Sequence, residues 1–270
     1  MIETRIVDIA TAPEGQRPAR IAVHLRGHGP LAVLIHGFPL DHRMWLEVMH
    51  GELSRRRTLC AVDLRGHGQS PWRGDPVHTM QRLADDVAHV IRSLGDEPAD
   101  VCGLSMGGYV AFALHRQHRE LVRSLVLSNT RAAADSDAQR AGRDAAIATV
   151  ATKGRSAIAD GMLPKLLAPG ADPLHQAQLR TMIEGLPAET IVADQRGLQQ
   201  RDDRSNELPG FSIPTLVVTG DQDAITPLEE AERWAPQIPG ARLEVIAGTG
   251  HMSPLEDAAA WSAVVGDFWA

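Results

Sequence analysis

The chain has 270 residues, 43% hydrophobic and 23% charged, the usage of an ordinary globular protein long enough for one large α/β core, so disordered, collagen-like and coiled-coil architectures do not fit. Twenty-seven basic residues against 34 acidic ones give a formal net charge of −7, which lacks the positive field that nucleic acids and anionic membranes attract. The densest basic run, Arg55-Arg56-Arg57, reads as a solvated helix-to-strand turn.

Cys60 and Cys102 lie inside apolar runs rather than in a spaced framework, which predicts buried free thiols and neither a disulfide scaffold nor a zinc site. Residues Met1-Ile2-Glu3-Thr4-Arg5 carry no basic segment leading into an apolar stretch, and no run approaches the roughly 18 apolar residues of a membrane span. The expectation is a soluble, cytoplasmic monomer or homodimer with no nucleic-acid and no membrane partner.

In chain order, a segment from Ile2 to Ala10 and the run Arg20 to Arg26 suggest a hairpin with Pro13 and Gly15 in its connection. Further strands are predicted at Leu31 to Ile35, Thr58 to Asp63, Ala99 to Leu104, Ser124 to Ser128, Thr215 to Thr219 and Arg242 to Ile246. Apolar residues recur at helical spacing in Trp45 to Leu53, Met80 to Leu94, Gly107 to His118, Pro227 to Trp234 and Leu255 to Trp269. That alternation predicts an α/β fold with a mostly parallel central sheet flanked by helices.

From Arg131 to Leu208 the strand rhythm stops, and helical segments punctuated by Gly154, Gly161, Pro164, Pro169-Gly170 and Gly185 take over. Strand candidates resume afterwards, so residues 1–130 and 209–270 are read as one core and residues 131–208 as a helical lid inserted between strands. Its large apolar residues are Met162, Leu163, Leu166, Leu167, Met182, Ile183, Leu186 and Leu198. Half or more are expected to pack the lid onto the core and the rest to line a pocket. Arg131, Arg196, Arg201 and Arg204 read as surface arginines.

Four segments carry chemistry. Gly103-Leu104-Ser105-Met106-Gly107 sits where a strand ends and a helix begins, so a tight turn would present the Ser105 hydroxyl beyond the sheet; a plain N-cap serine is the other reading. His36-Gly37-Phe38-Pro39 follows a strand and can aim a backbone N–H across the strand ends, with the His36 ring holding the loop by a hydrogen bond. Gly220-Asp221-Gln222-Asp223 follows a third strand, where either aspartate could orient an imidazole or cap the helix near Pro227. Gly250-His251-Met252-Ser253-Pro254 places a histidine on a fourth strand exit. The order Ser105, Asp223, His251 is nucleophile, acid, base.

With Asp63-Leu64-Arg65-Gly66-His67-Gly68-Gln69-Ser70 added, these motifs resemble the α/β-hydrolase superfamily over essentially the whole chain. The resemblance implies Ser105 as nucleophile, His251 as general base and acid, Asp223 as orienter, and the backbone N–H groups of Phe38 and Met106 as the oxyanion hole, with no cofactor and no metal. The family pattern G-x-x-D-x-x-x-P falls on Gly220, Asp223 and Pro227, leaving Asp221 to hold loop amides. Ser105-Met106-Gly107-Gly108-Tyr109 and His251-Met252-Ser253-Pro254-Leu255-Glu256 are similar to bacterial enol-lactonase-like and small carboxylesterase members. The lid has no Phe, Trp or Tyr, unlike many lids of such members.

Serine at 105, where dehalogenases and epoxide hydrolases of the superfamily carry aspartate, implies an acyl-enzyme. The expected activity is hydrolysis of carboxylic esters or lactones of small to medium, largely apolar substrates. The alternatives are a cofactor-free perhydrolase or haloperoxidase-type activity on the same triad, and a ligand receptor built on a hydrolase fold.

Overall fold

Strands form where β-branched and aliphatic residues run together, and the computed structural model, which describes residues 1–9 and 19–270, contains eight in one sheet. They are β1 (Glu3–Ile9), β2 (Ala19–Gly27), β3 (Leu31–Ile35), β4 (Thr58–Val62), β5 (Ala99–Leu104), β6 (Val122–Ser128), β7 (Thr215–Gly220) and β8 (Arg242–Ile246). Spatial order is β1-β2-β4-β3-β5-β6-β7-β8. β1 and β2 pair antiparallel with Ile9 opposite Ala19, β2 pairs antiparallel with β4, and the remaining neighbours are parallel. The expected hairpin connection through Ala10, Pro13 and Gly15 lies outside the described residues.

Helices α1 (Leu46–His50), α2 (Met80–Leu94) and α3 (Met106–Gln117) belong to the first half of the core. In α2 the Thr79 side chain accepts a hydrogen bond from Arg82 N, and Met80, Leu83, Ala84, Val87, Ala88, Val90 and Ile91 form one buried stripe. Between β6 and β7 stand α4 (Asp137–Lys153), α5 (Arg155–Leu166), α6 (Pro173–Gly185) and α7 (Ala188–Gln199), and the chain closes with α8 (Leu228–Trp234), α9 (Ser253–Glu256) and α10 (Ala258–Phe268). Trp45 meets Trp261 at 5.5 Å between ring centroids, joining the α1 turn to α10. Phe112 meets Trp234 at 6.2 Å, joining α3 to α8.

Four expectations differ from the structure. Gly161 and Pro164 lie inside α5 rather than ending it; Pro164 withdraws the N–H that would reach the Asp160 carbonyl and crowds that carbonyl, and the helix stops two residues later at Leu166. The single helix expected over Leu255 to Trp269 is two, because the Asp257 carboxylate accepts from Ala260 N and starts α10 afresh. In the basic run, Arg55 and Arg56 are exposed, whereas Arg57 is half-buried and donates to Asp100 Oδ2 at 3.1 Å. Arg201 and Arg204 are buried: Arg201 pairs with Asp135 at 2.8 Å and lies over the Tyr109 ring at 4.1 Å, and Arg204 pairs with Asp202 and Glu207. A composition rich in arginine hid these pairings, since sequence places the partners far apart or on loops.

Cys60 and Cys102 are both buried and free, and burial pushes the Cys60 thiol up to about 12. Among the described residues, no helix is long and apolar enough to cross a membrane.

Candidate active site

Strand order reverses between β3 and β5, whose carboxyl ends therefore flank the crevice in which open α/β sheets bind ligands. The loop His36-Gly37-Phe38-Pro39 leaves β3 on one side of it, and Ser105 leaves β5 on the other. A Cβ on Gly37 would stand 3.0 Å from Leu104 Cδ2 and 3.3 Å from Ser105 Cβ, so the two segments pack closely enough that any side chain there would have to push its neighbours aside slightly.

Ser105 has φ +54 and ψ −114 between the last residue of β5 and the first of α3, a conformation costing about 1–3 kcal/mol for a residue with a side chain. Its surroundings hold it there. Ser105 N donates to Ser128 O at 3.0 Å, and Ser105 O accepts from Gly108 N at 2.9 Å and from Thr130 Oγ1 at 2.8 Å. The glycines are obligatory on contact grounds: a Cβ on Gly103 would lie 2.2 Å from Gly107 O, and one on Gly107 would lie 2.2 Å from Ile35 O. Met106 N opens α3, where backbone N–H groups lack intrahelical acceptors. Neither Phe38 N nor Met106 N has an acceptor among the described residues.

Asp223 and His251 are brought together directly. Nδ1 of His251 stands 3.0 Å from Asp223 Oδ1 and 2.9 Å from Oδ2; a carboxylate only accepts, so Nδ1 carries the proton and Nε2 presents its lone pair. Burial alone would raise the Asp223 pKa, but attraction to His251 and hydrogen bonds from His251, Thr226 and Asn129 hold it well below the carboxylate range. Oδ1 also accepts from Ile225 N at 2.8 Å and Thr226 N at 2.9 Å. Asp221 instead accepts from Gly248 N at 2.7 Å. No hydrogen bond links Ser105 Oγ to His251 among the described residues; such contacts often tighten only when substrate binds.

Asn129 is a site residue that sequence reasoning passed over. It follows β6 with φ +46, is buried, and its Nδ2 donates to Asp223 Oδ2 at 3.0 Å and to Gly250 O at 3.2 Å. Its Oδ1 accepts from Ser253 Oγ at 2.6 Å and Ser128 Oγ at 3.1 Å. Every hydrogen-bonding position of the amide is used. An asparagine closing a buried strand, where a left-handed turn is needed, was the available signal.

His36 is held neutral. Leu64 N donates to its Nε2 at 3.0 Å, so Nδ1 carries the proton and donates to Gly37 O at 3.0 Å; burial, with repulsion from His67, lowers its pKa to about 4. His67 in turn tilts against His36 at 4.7 Å between ring centroids and places Nε2 3.0 Å from Asp194 Oδ2 of α7, an ion-pair contact whose alignment falls short of a hydrogen bond. Asp194 Oδ1 also meets His78 Nδ1 at 2.7 Å. All three groups are fully buried.

Among the described residues, His24, His42 and Asp63 form the one group spaced for a metal ion. Their chemistry fits a hydrogen-bond knot better. Asp63 accepts from His24 Nε2, His42 N, His42 Nδ1 and Gln69 N, and the two imidazoles stack 3.4 Å apart at 14°. An ion lying in the plane of one ring, as imidazole ligation requires, would stand out of the plane of the other.

Of the eight large apolar residues of the insertion, seven are buried and Met162 packs half-buried on the core. Close to the site, Leu166 O accepts from Met252 N at 3.1 Å.

Comparison with known proteins gives a consistent picture. The model of the Alpha/beta hydrolase family matches residues 32–264. The pimeloyl-[acyl-carrier protein] methyl ester esterase of Neisseria meningitidis is 32% identical over 243 residues, 87% of this chain and 91% of that one. 3-oxoadipate enol-lactonase 1 of Acinetobacter baylyi is 28% identical over 233 residues, 84% of each chain. A thermophilic esterase from Thermogutta terrifontis superimposes with a TM-score of 0.93 at 36% identity, covering 98% of both chains.

Proposed function

The chain belongs to the Alpha/beta hydrolase family and is a carboxylic ester hydrolase, and from that premise we propose that it works as a serine hydrolase, through an acyl-enzyme on Ser105. The observation that carries this reading is the pairing of Asp223 with Nδ1 of His251 at 2.9 Å past the ends of β7 and β8, on the same carboxyl edge of the sheet as the elbow serine after β5. His251 Nε2 takes the proton from Ser105 Oγ as the oxygen attacks the ester carbonyl. The tetrahedral oxyanion falls to the N–H groups of Phe38 and Met106, fixed donors that need no reorganisation as charge develops.

His251 returns the proton to the departing alkoxide, then deprotonates water for attack on the acyl carbon, and the second tetrahedral intermediate collapses to acid and free Ser105. Asp223 keeps Nδ1 protonated throughout and stabilises the imidazolium; it does not itself take the proton. Residues 131–208 serve as a lid, and substrates are small to medium esters or lactones with a largely apolar acyl part, a reading that draws on the apolar composition of the insertion and on the esterase and lactonase names among the relatives.

The test is Ser105→Ala with a chromogenic ester series of increasing acyl length. Turnover is expected to vanish while the thermal melt stays near that of the parent, and a phosphonate probe is expected to label Ser105 alone. Residual turnover within a few-fold of the parent would remove Ser105 from the mechanism.

A further inference from the structure

The loop that carries His251 is not free-standing: it is bonded to the helical insertion. Glu256, half-buried in α9, accepts from Gly250 N through Oε1 at 2.9 Å and from Ala168 N through Oε2 at 2.7 Å. One carboxylate therefore holds the residue before His251 and a residue just past the end of α5. Two further contacts join the same segments. Met252 N donates to Leu166 O at 3.1 Å, and a Cβ on Gly250 would lie 2.6 Å from Ala168 N and 2.7 Å from Leu167 C, so the insertion backbone rests directly on Gly250. His251 stands between two residues whose backbone N–H groups are tied, through Glu256 or directly, to residues 166–168.

We propose that Glu256 is a positioning residue that couples the placement of the insertion over the core to the placement of the His251 imidazole. This rests on the reading of His251 as the base. The geometry makes the end of α5 and the His251 loop one mechanical unit: if the insertion rises from the site at residues 166–168, it pulls Gly250 and Met252 with it, and the ring between them loses its aim at Ser105. The insertion and the base thus reach their working positions together.

The experiment uses two variants of the full chain. Glu256→Gln keeps size and shape but has one oxygen; its –NH2 must face either Gly250 N–H or Ala168 N–H, so one tie is lost in either orientation. Ala168→Pro deletes the N–H donor on the insertion side and sets its ring Cδ against the Glu256 carboxylate that the N–H had held at 2.7 Å, so the same tie is broken from its other end; the preceding Leu167, at φ −116 and ψ 152, already has the extended conformation that a following proline requires. On one activated ester, each variant is expected to lower kcat by about ten- to a hundredfold, the scale of a slightly misplaced reacting group, with KM within about twofold. The double variant should be no worse than the worse single one, because both cut the same link.

Hydrogen exchange supplies a readout independent of turnover: in both variants, segments 166–168 and 250–252 are expected to exchange faster together while β5 and α3 keep their protection. A variant kcat within about twofold of the parent with only the melt lowered would make Glu256 purely structural and overturn the proposal. So would faster exchange in one segment alone. A parent that turned over no ester would instead count against the ester-hydrolase reading, which these exchange data do not depend on.

Discussion

The Asp223 carboxylate reaches His251 Nδ1 with both oxygens, at 2.9 and 3.0 Å, whereas Asp221, two residues earlier, spends its side chain on Gly248 N at 2.7 Å. The two aspartates leave the same turn in different directions and hold different loops. Asp223→Asn is expected to keep the fold and lower kcat by roughly 10⁴-fold, since an amide at this position favours the wrong imidazole tautomer and removes the charge facing imidazolium. Asp221→Asn is expected to retain most activity and lose some thermal stability. Side-by-side kcat values on one activated ester decide it; a dead Asp221→Asn beside an active Asp223→Asn would reverse the assignment.

The buried trio of His67, His78 and Asp194 fixes α7 to the core and has a pH signature. Burial works against the charged form of Asp194, but attraction to His67 and the hydrogen bond with His78 prevail and lower its pKa to about 2. Burial likewise works against charged His67, and Asp194 prevails there, raising it. A depressed carboxyl stabilises the fold fully above its unfolded value and loses that support as pH falls; a raised histidine stabilises fully below its unfolded value and loses it as pH rises. With unfolded values of about 3.9 and 6.5, the pair contributes most between them. Asp194→Asn, which strands a buried histidine, is expected to cost about 3–5 kcal/mol in that window, and less at either side. Urea unfolding at a series of pH values measures the difference; a gap that stays constant with pH would contradict the charged pairing.

Asn129 permits a separation of backbone from side-chain effects. Asn129→Gly relieves the left-handed backbone at φ +46 but discards four hydrogen bonds, and Asn129→Ala discards the same bonds and adds strain of about 1 kcal/mol or more. Both are expected to lower kcat together, through loss of the donor on Asp223, while the alanine variant melts lower than the glycine one. Equal melts with unequal kcat would show that the amide does not hold the acid.

Two glycine-to-alanine changes should go opposite ways. Gly107→Ala forces a methyl to within 2.2 Å of Ile35 O, backbone against backbone, and is expected to prevent the elbow from forming. Gly142→Ala, in the middle of α4 with nothing within 4 Å of the added carbon, is expected to stabilise by about 0.5–1 kcal/mol. Thermal melts of the two purified proteins test both, and a well-folded, active Gly107→Ala would refute the contact argument.

What the sequence disclosed about this molecule follows from the range of each interaction. β3 and β5 are legible to the residue because each is a short buried run closed by a turn, β8 because its aliphatic residues stop at a glycine-bearing turn, and Met80 to Leu94 is legible because its cap and stripe are local. Ser105, Asp223 and His251 stood out because glycines and strand exits mark them. Asn129 and Glu256 did not, since Asn129 reaches Asp223, Gly250 and Ser253 at 94 to 124 residues' distance and Glu256 reaches Ala168 at 88, and no local pattern announces such bonds. The buried arginines were misread for the same reason: burial of a charge depends on a partner such as Asp135, 66 residues from Arg201.

β6 and β7 lie side by side in the sheet, Ser128 opposite Val218, although α4 to α7 separate them in the chain. Closing so long a loop adds little to its entropy cost, about 0.6 kcal/mol for each doubling of length, so the sheet tolerates the insertion easily. Folding pays in time instead. During synthesis the serine elbow emerges first, and β7 and β8, whose exits bear Asp223 and His251, emerge only after all four inserted helices. A nascent chain contains β3 through β6 and the strained Ser105 turn before the residue proposed as its base has been synthesised. On the proposed reading of Ser105 and His251, the nucleophile is built early and armed last.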